Sequence, residues 1–341
     1  MKLFKKNNII KTLITNERIK QNDNKNFKSD AHKLYLNSNL LNLYKTYSMN
    51  RIAFVVIYPI IKGISILPFS LLYLLSDIIS FILFHFLGYR GKMIRKNILL
   101  SFPEKSIKEM RMIERAFYTH MCDIFLEMIK SMSMTLESIN KRFKVNNINL
   151  LTQFPKDKRS VIIMCGHYAS YEWLLLVAKA YGSSTYGIYT PLTNVYFDKL
   201  VKKIRQKHNS FLISRYHTLE TIKEHQKNKH TAIYGFAADQ SPFPKEKTYW
   251  RLFMGNKVPV FTGAERIAKE FDIAIVYADI KRVKRGSYET NFKLISDSPK
   301  QTIENEITDM FYNMLEETIS SDPSQYLWSH NRYKYMDKAP K

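Results

Sequence analysis

The stretch from Val161 to Trp173 reads VIIMCGHYASYEW, an apolar, β-branched run that stops at Gly166 and is followed at once by His167, with Glu172 five positions further on. A histidine at the carboxyl end of a strand stands where open α/β sheets gather ligands and reacting groups. Glu172 is expected in the first turns of the next helix, near enough for its carboxylate to hydrogen-bond one imidazole nitrogen and fix the tautomer. The other nitrogen would then be free to take a proton from a hydroxyl that is not part of the protein. No Gly-x-Ser-x-Gly elbow occurs, which leaves a covalent serine mechanism with little support. The spacing alone is weak evidence, because a helix-start histidine beside a solvated glutamate gives the same pattern. The two cysteines, Cys122 and Cys165, form no CxxC and no cysteine-histidine array, so neither a metal nor another cofactor is expected, and Cys165 reads as a small buried residue.

The elements that must hold these residues follow from periodicity. Short β-branched runs at 161–164, 185–189, 211–213, 231–236, 273–283 and 288–295 alternate with helical patterns at 171–180, 195–207, 219–226 and 264–271. That alternation predicts an α/β domain with a mixed, largely parallel sheet flanked by helices. Residues 284–287, Lys-Arg-Gly-Ser, read as a hairpin turn that makes one pair antiparallel. Upstream, a helix over 94–100 and a long one over 106–132 carry apolar residues at spacings of three and four, and a last helix is expected over 303–319.

Four regions are expected: a basic flexible arm over 1–48, a hydrophobic membrane-associated segment over 49–89, a catalytic domain over 90–335 and a tail over 336–341. The formal charge is +23, of which residues 49–341 keep +16, so the basic character is not confined to the arm. Such a surplus calls for an acidic partner, either nucleic acid or an anionic membrane surface. The segment from Ile52 to Tyr89 is the most hydrophobic, but its longest uncharged run, Gly63 to Ser76, is short of the roughly 18 to 20 residues of a clean span. Basic residues flank both of its ends, which predicts N-terminal helices seated on the cytosolic side of the membrane, as an interfacial pair or a tilted span. No signal peptide is evident.

Taken in order, the motifs resemble the lipid A biosynthesis acyltransferase family, the late acyltransferases of the lysophospholipid acyltransferase superfamily. Gly166 to Trp173 matches that family's His-x4-Asp/Glu motif. The run YTPLTNVYFD ending at Asp198 is similar to its acceptor-side segment, Ser214-Arg215 to an arginine ahead of a helix, and ADQSP from Ala238 to its Asp-Gln motif at Asp239 and Gln240. The closing run from Tyr326 to Tyr333, YLWSHNRY, and the upstream stretch from Arg90 to Pro103 fit as well. Two departures stand out: Ser241 and Pro242 follow Asp-Gln where many members carry an acidic residue, and the match at Arg215 is loose.

The resemblance implies a glycerolipid acyltransferase-like fold and transfer of a fatty acyl chain from acyl carrier protein or coenzyme A to a hydroxyl of a lipid A precursor. It implies His167 and Glu172 as the general-base pair and Arg215, Asp239, Gln240 and Asp198 as substrate contacts, with Arg215 or backbone amides after Gly166 serving the oxyanion. It places the chain at the cytoplasmic face of the inner membrane, with an anionic lipid surface as partner and no nucleic acid. Lys202, Lys203, Arg205 and Lys207 form a candidate basic patch beside the site. Two other readings stand beside it: an acyltransferase for a glycerophospholipid or an amino-acid lipid, and a non-catalytic basic protein that binds membrane surface or nucleic acid.

Overall fold

The structure, a computed structural model, describes residues 51–340. The arm expected over 1–48 lies outside the described residues. Two compact units divide at Val56, and of the first only residues 51–56 are described, as helix. The second unit holds everything that follows.

Its centre is a seven-stranded sheet in the order β1-β9-β8-β2-β5-β3-β4, built from β1 (Phe143–Val145), β2 (Val161–Cys165), β3 (Ser184–Tyr189), β4 (Ser210–Ser214), β5 (Ala232–Ala237), β8 (Ala274–Lys284) and β9 (Ser287–Ser296). All neighbours are parallel except β8 and β9, which are joined by the two-residue turn Arg285-Gly286. The mixed α/β sheet expected from the sequence is therefore present, with the antiparallel pair at the expected turn. β2 is buried at every position, as a central strand covered on both faces must be. A separate hairpin of β6 (Trp250–Phe253) and β7 (Asn256–Pro259) was not foreseen, nor were β1 and the helices Leu136–Arg142 and Ile148–Lys156. Each of these is short or lacks a sustained apolar period.

The long helix Ile107–Lys130 starts at a capping box, in which the Ser106 hydroxyl accepts from the Glu109 amide and the Glu109 carboxylate accepts from the Ser106 amide. Against it lies the helix Phe69–Ile82, continued by one π-helical turn, Leu83–Leu87. Leu72, Leu126 and Ile129 form the small apolar centre of that contact.

Around this centre the inward contacts are polar. The Tyr73 hydroxyl donates to Glu127 at 2.8 Å, Ser76 to Asp123 at 2.6 Å, and Arg285 lies 2.7 Å from both Asp77 and Asp123. The opposite face, with Leu71, Leu74, Ile78, Phe81, Phe86 and Leu87, is exposed. A helix that turns polar groups to the protein and apolar side chains outward is compatible with membrane association. Residues 69–87, at a mean hydropathy of 1.9, are long and apolar enough to cross a membrane by length and composition. The helix is longer than the uncharged run of the sequence because Asp77 stays in it, paired with Arg285.

Candidate active site

β2 and β5 are adjacent and parallel, with Cys165 opposite Ala237, and the ladder runs one step further through the Ala238 amide on the Cys165 carbonyl at 3.1 Å. His167 and Asp239 each follow the Cys165–Ala237 pair by two residues, so the two strands deliver their side chains to one place. His167 Nδ1 lies 2.6 Å from Asp239 Oδ1. Asp239 is almost wholly buried, and the imidazole is edge-on to the Tyr171 ring at a centroid distance of 4.8 Å.

Burial works against a charge on His167, but the Asp239 carboxylate outweighs it and raises the imidazole pKa above its ordinary value. Burial likewise pushes the Asp239 carboxyl up, and the facing imidazole, with help from the backbone amides of His167 and Asp239, brings it below the usual carboxylate range. With Nδ1–H given to the carboxylate, the lone pair is on Nε2, which receives a hydrogen bond from the Gln240 amide at 3.2 Å. The basic nitrogen is thereby identified.

The sequence reading gave the role of imidazole partner to Glu172, and the structure does not bring those two groups into a hydrogen bond. Residues 167–169 are drawn out of helical geometry by the closing segment: Ala169 N–H donates to Gln325 O, Leu327 N–H donates to His167 O, and Tyr168 bridges Tyr326. Ala169 takes a positive φ of 47°, a left-handed conformation costing about 1–2 kcal/mol that persists where the surroundings enforce it. The expected helix over 171–180 becomes two short turns, Trp173–Leu176 and Ala178–Tyr181, and Glu172 sits just ahead of the first. Its carboxylate is held by Arg205, with Nε donating at 2.7 Å and Nη2 donating to the other oxygen. Arg205, expected on a basic surface patch, is instead folded into the site.

The other expected residues divide. Gln240 lines the cavity next to His167, and Arg215 lines it at an exposed position with its guanidinium 5.8 Å from the Phe261 ring centroid. Asp198 is occupied locally, accepting from the Leu192 amide and pairing with Lys202 at 2.9 Å each, and is not among the lining residues. The amide of Ala169 is already bonded, so it is not a free donor for an oxyanion. Cys165 is buried and its thiol is pushed up by that burial, which fits the inert reading.

Gly166 answers a packing demand. A Cβ there would come within 2.5 Å of Leu315, on the helix Glu306–Ser321, so any other residue requires the buried Leu315 side chain or the backbone next to His167 to shift. The closing run supports the site from behind: the Tyr312 hydroxyl donates to Ala238 O, the Ser241 amide to His330 Nε2, and the buried Arg332 to Ser241 Oγ at 2.6 Å. Burial lowers the His330 pKa to about 4, which keeps that imidazole neutral and able to accept. Ser241, one of the two residues that depart from the resemblance, is thus a bonded part of the scaffold.

From His167 a cavity of about 820 Å³ extends to Leu174, Leu175, Leu212 and Ile267, with apolar groups dominating its walls. An imidazole backed by a buried carboxylate, with its second nitrogen on the Gln240 amide beside a largely apolar chamber, suits chemistry on a lipid hydroxyl or on an acyl chain. Among the described residues no cluster of metal-ligating side chains occurs.

The profile of the family described as bacterial lipid A biosynthesis acyltransferase matches residues 43–335. The chain is 22% identical over 271 residues to the lipid A biosynthesis lauroyltransferase of Escherichia coli (strain K12), covering 79% of this chain and 87% of the relative. It is 23% identical over 273 residues to the lipid A biosynthesis palmitoleoyltransferase of the same organism, covering 79% and 86%. A lipid A biosynthesis acyltransferase of Shigella flexneri matches to the same extent.

Proposed function

Because the chain belongs to the bacterial lipid A biosynthesis acyltransferase family, we propose that it transfers a fatty acyl group from a thioester to a hydroxyl of a lipid A precursor, with His167 as general base. The observation that carries this reading is the 2.6 Å contact of His167 Nδ1 with a buried carboxylate, at a histidine that lines the apolar cavity together with Gln240, the partner of its Nε2.

In the reaction, the acceptor hydroxyl displaces the Gln240 amide from Nε2 and gives up its proton as its oxygen attacks the thioester carbonyl. Asp239 stabilises the imidazolium that results and keeps the ring in place. The tetrahedral oxyanion needs a donor, and the freed Gln240 amide is the one nearest the reacting nitrogen, with Arg215 at the mouth as a second. Collapse expels the thiolate, which takes the proton back from His167, leaving an ester and a free thiol. Acyl carrier protein or coenzyme A would supply the donor. The basic surface suits an acidic carrier, an anionic head group or the acceptor's phosphates. The outward leucines and phenylalanines of residues 69–87 would hold the domain at the cytoplasmic face of the inner membrane.

The test uses the purified full chain in detergent with a lipid A precursor and a panel of acyl thioesters. Mass spectrometry should show gain of one acyl group, and His167→Ala should abolish it while circular dichroism and vesicle binding stay unchanged. Near-normal turnover by His167→Ala, or no acylation with any donor, overturns the reading.

A further inference from the structure

β3 and β5 pair from Ser184 opposite Ala232 only as far as Gly187 opposite Gly235. The flanking ladders continue, β2 with β5 to Cys165 opposite Ala237 and β3 with β4 to Tyr189 opposite Ser214. The sheet therefore forks beyond the two glycines, and residues on both sides of the fork line the cavity.

The registers also place Ile163, Gly235, Gly187 and Leu212 in one row across four strands. Paired residues of parallel strands point to the same face, and here that face is covered by Leu174, Leu175 and Tyr181. The two glycines in the row differ. A Cβ at Gly187 would meet Leu175 Cδ1 at 2.7 Å and Leu212 at 3.3 Å, so the space above it is filled. A Cβ at Gly235 would meet nothing nearer than the Tyr186 carbonyl oxygen at 3.9 Å. The floor of the chamber is thus open over Gly235, between the side chain of Ile163 on one side and those of Leu175 and Leu212, which fill the space over Gly187, on the other.

We propose that Gly235 is the specificity-determining residue for acyl-chain length: the hydrocarbon tail of the donor passes His167 and ends over Gly235, with Leu212 as its far stop. The occupant follows from the walls: Ile163, Leu174, Leu175 and Leu212 offer hydrocarbon, and the hydroxyls of Tyr181 and Thr185 already donate to backbone carbonyls, so this part of the chamber suits a chain rather than a head group. The proposal rests on the transferase reading for the identity of the chain, but its test does not depend on turnover.

Fatty acids from octanoate to palmitate are titrated, by displacement of a fluorescent fatty-acid probe, against the His167→Ala protein and against the same protein carrying Gly235→Ala, Gly235→Leu or Leu212→Ala. Affinity should rise about fourfold per methylene until the chamber is full and then level off. Gly235→Leu should move that break to chains shorter by about two to four carbons, and Leu212→Ala should move it to longer ones. Gly235→Ala, whose added carbon clashes with nothing, guards against a folding failure of the leucine variant and should give a smaller shift in the same direction. Superimposable length profiles for Gly235→Ala and Leu212→Ala and their parent overturn the proposal. In the His167-containing protein, product lengths measured by mass spectrometry should shift in the same order.

Discussion

Two carboxylates in this chain, Asp239 and Glu127, are buried to nearly the same degree and are held in opposite ways. Asp239 faces an imidazole nitrogen and two backbone amides, and its carboxyl stays below the ordinary range. Glu127 accepts from hydroxyls, Tyr73 at 2.8 Å, Tyr288 at 3.1 Å and Ser170 at 3.4 Å, and among the described residues no lysine or arginine pairs with it. Burial, with the nearby Asp123 adding to it, pushes the Glu127 pKa up to about 8 although the Tyr73 hydroxyl works against the rise. Depth of burial therefore does not mark a functional acid. The partners differ: an imidazole that would become a cation in the proposed reaction needs an anion, whereas three hydroxyls at a crossing of elements need only an acceptor.

The largest effect that would break this contrast is at Asp239. Asp239→Asn should lower kcat by about 10³-fold to 10⁴-fold, because an amide can hold the wrong tautomer and cannot stabilise the imidazolium. Acyl transfer assayed by mass spectrometry decides it, and a loss of less than about tenfold would mean that His167 needs no anionic partner.

Glu172 is a third carboxylate, bonded to neither an imidazole nor a hydroxyl cluster but to Arg205. Glu172→Gln removes one half of a mostly buried ion pair and lets both side chains shift in the cavity wall, for an expected loss of about 10-fold to 10²-fold in kcat/KM. A loss as large as that at Asp239, falling on kcat alone, would instead show Glu172 turning to the imidazole during turnover.

The pH profile sharpens the same point with a smaller effect. His167 must be neutral to accept a proton, and its pKa is raised above the ordinary 6.5, so kcat/KM should climb with pH through a value above 6.5. Asp239→Asn removes the cause of that rise, and whatever rate remains should climb at lower pH. For stability the signs differ. The raised His167 contributes stability that is full below 6.5 and fades as pH passes its folded pKa, while the lowered Asp239 contributes above 3.8 and loses it as pH falls through its folded value.

The sheet and the place of His167 at a strand end were legible in the sequence for the same physical reason. β2, β5, β8 and β9 are long or fully apolar, and Gly166-His167 marks a strand end without any knowledge of neighbours. The partner of His167 was not legible, because it depends on which strand lies beside β2. Asp239 follows β5 at the same offset at which His167 follows β2, yet nothing local says that strands 72 residues apart are adjacent. The sequence neighbour Glu172 looked nearer only because a continuous helix was assumed, and the segment that prevents that helix, Gln325 to Leu327, lies at the other end of the domain. The Ser-for-acid departure at Ser241 was visible but had no meaning until Arg332 was found against it.

The smallest expected effect completes the comparison. If Glu127 is a neutral acceptor at pH 7, then Glu127→Gln supplies a neutral group of the same shape, and activity should stay within about twofold while stability changes by about 1 kcal/mol or less. The pH dependence should nevertheless change. Between 4.5 and about 8 the folded chain keeps a proton on Glu127 that the unfolded chain has released, so stability falls with rising pH by up to about 1.4 kcal/mol per unit and levels off above about 8. Denaturant unfolding of both proteins across that window should show the slope in the parent and its loss in Glu127→Gln. A destabilisation of about 3–5 kcal/mol at pH 7 would mean instead that a charged, paired carboxylate had been removed. Glu127 would then share the charged state assigned to Asp239, and the contact of the Phe69–Ile82 helix with the loop after His167 through Tyr73, Glu127 and Ser170 would be made of charge-assisted rather than neutral hydrogen bonds.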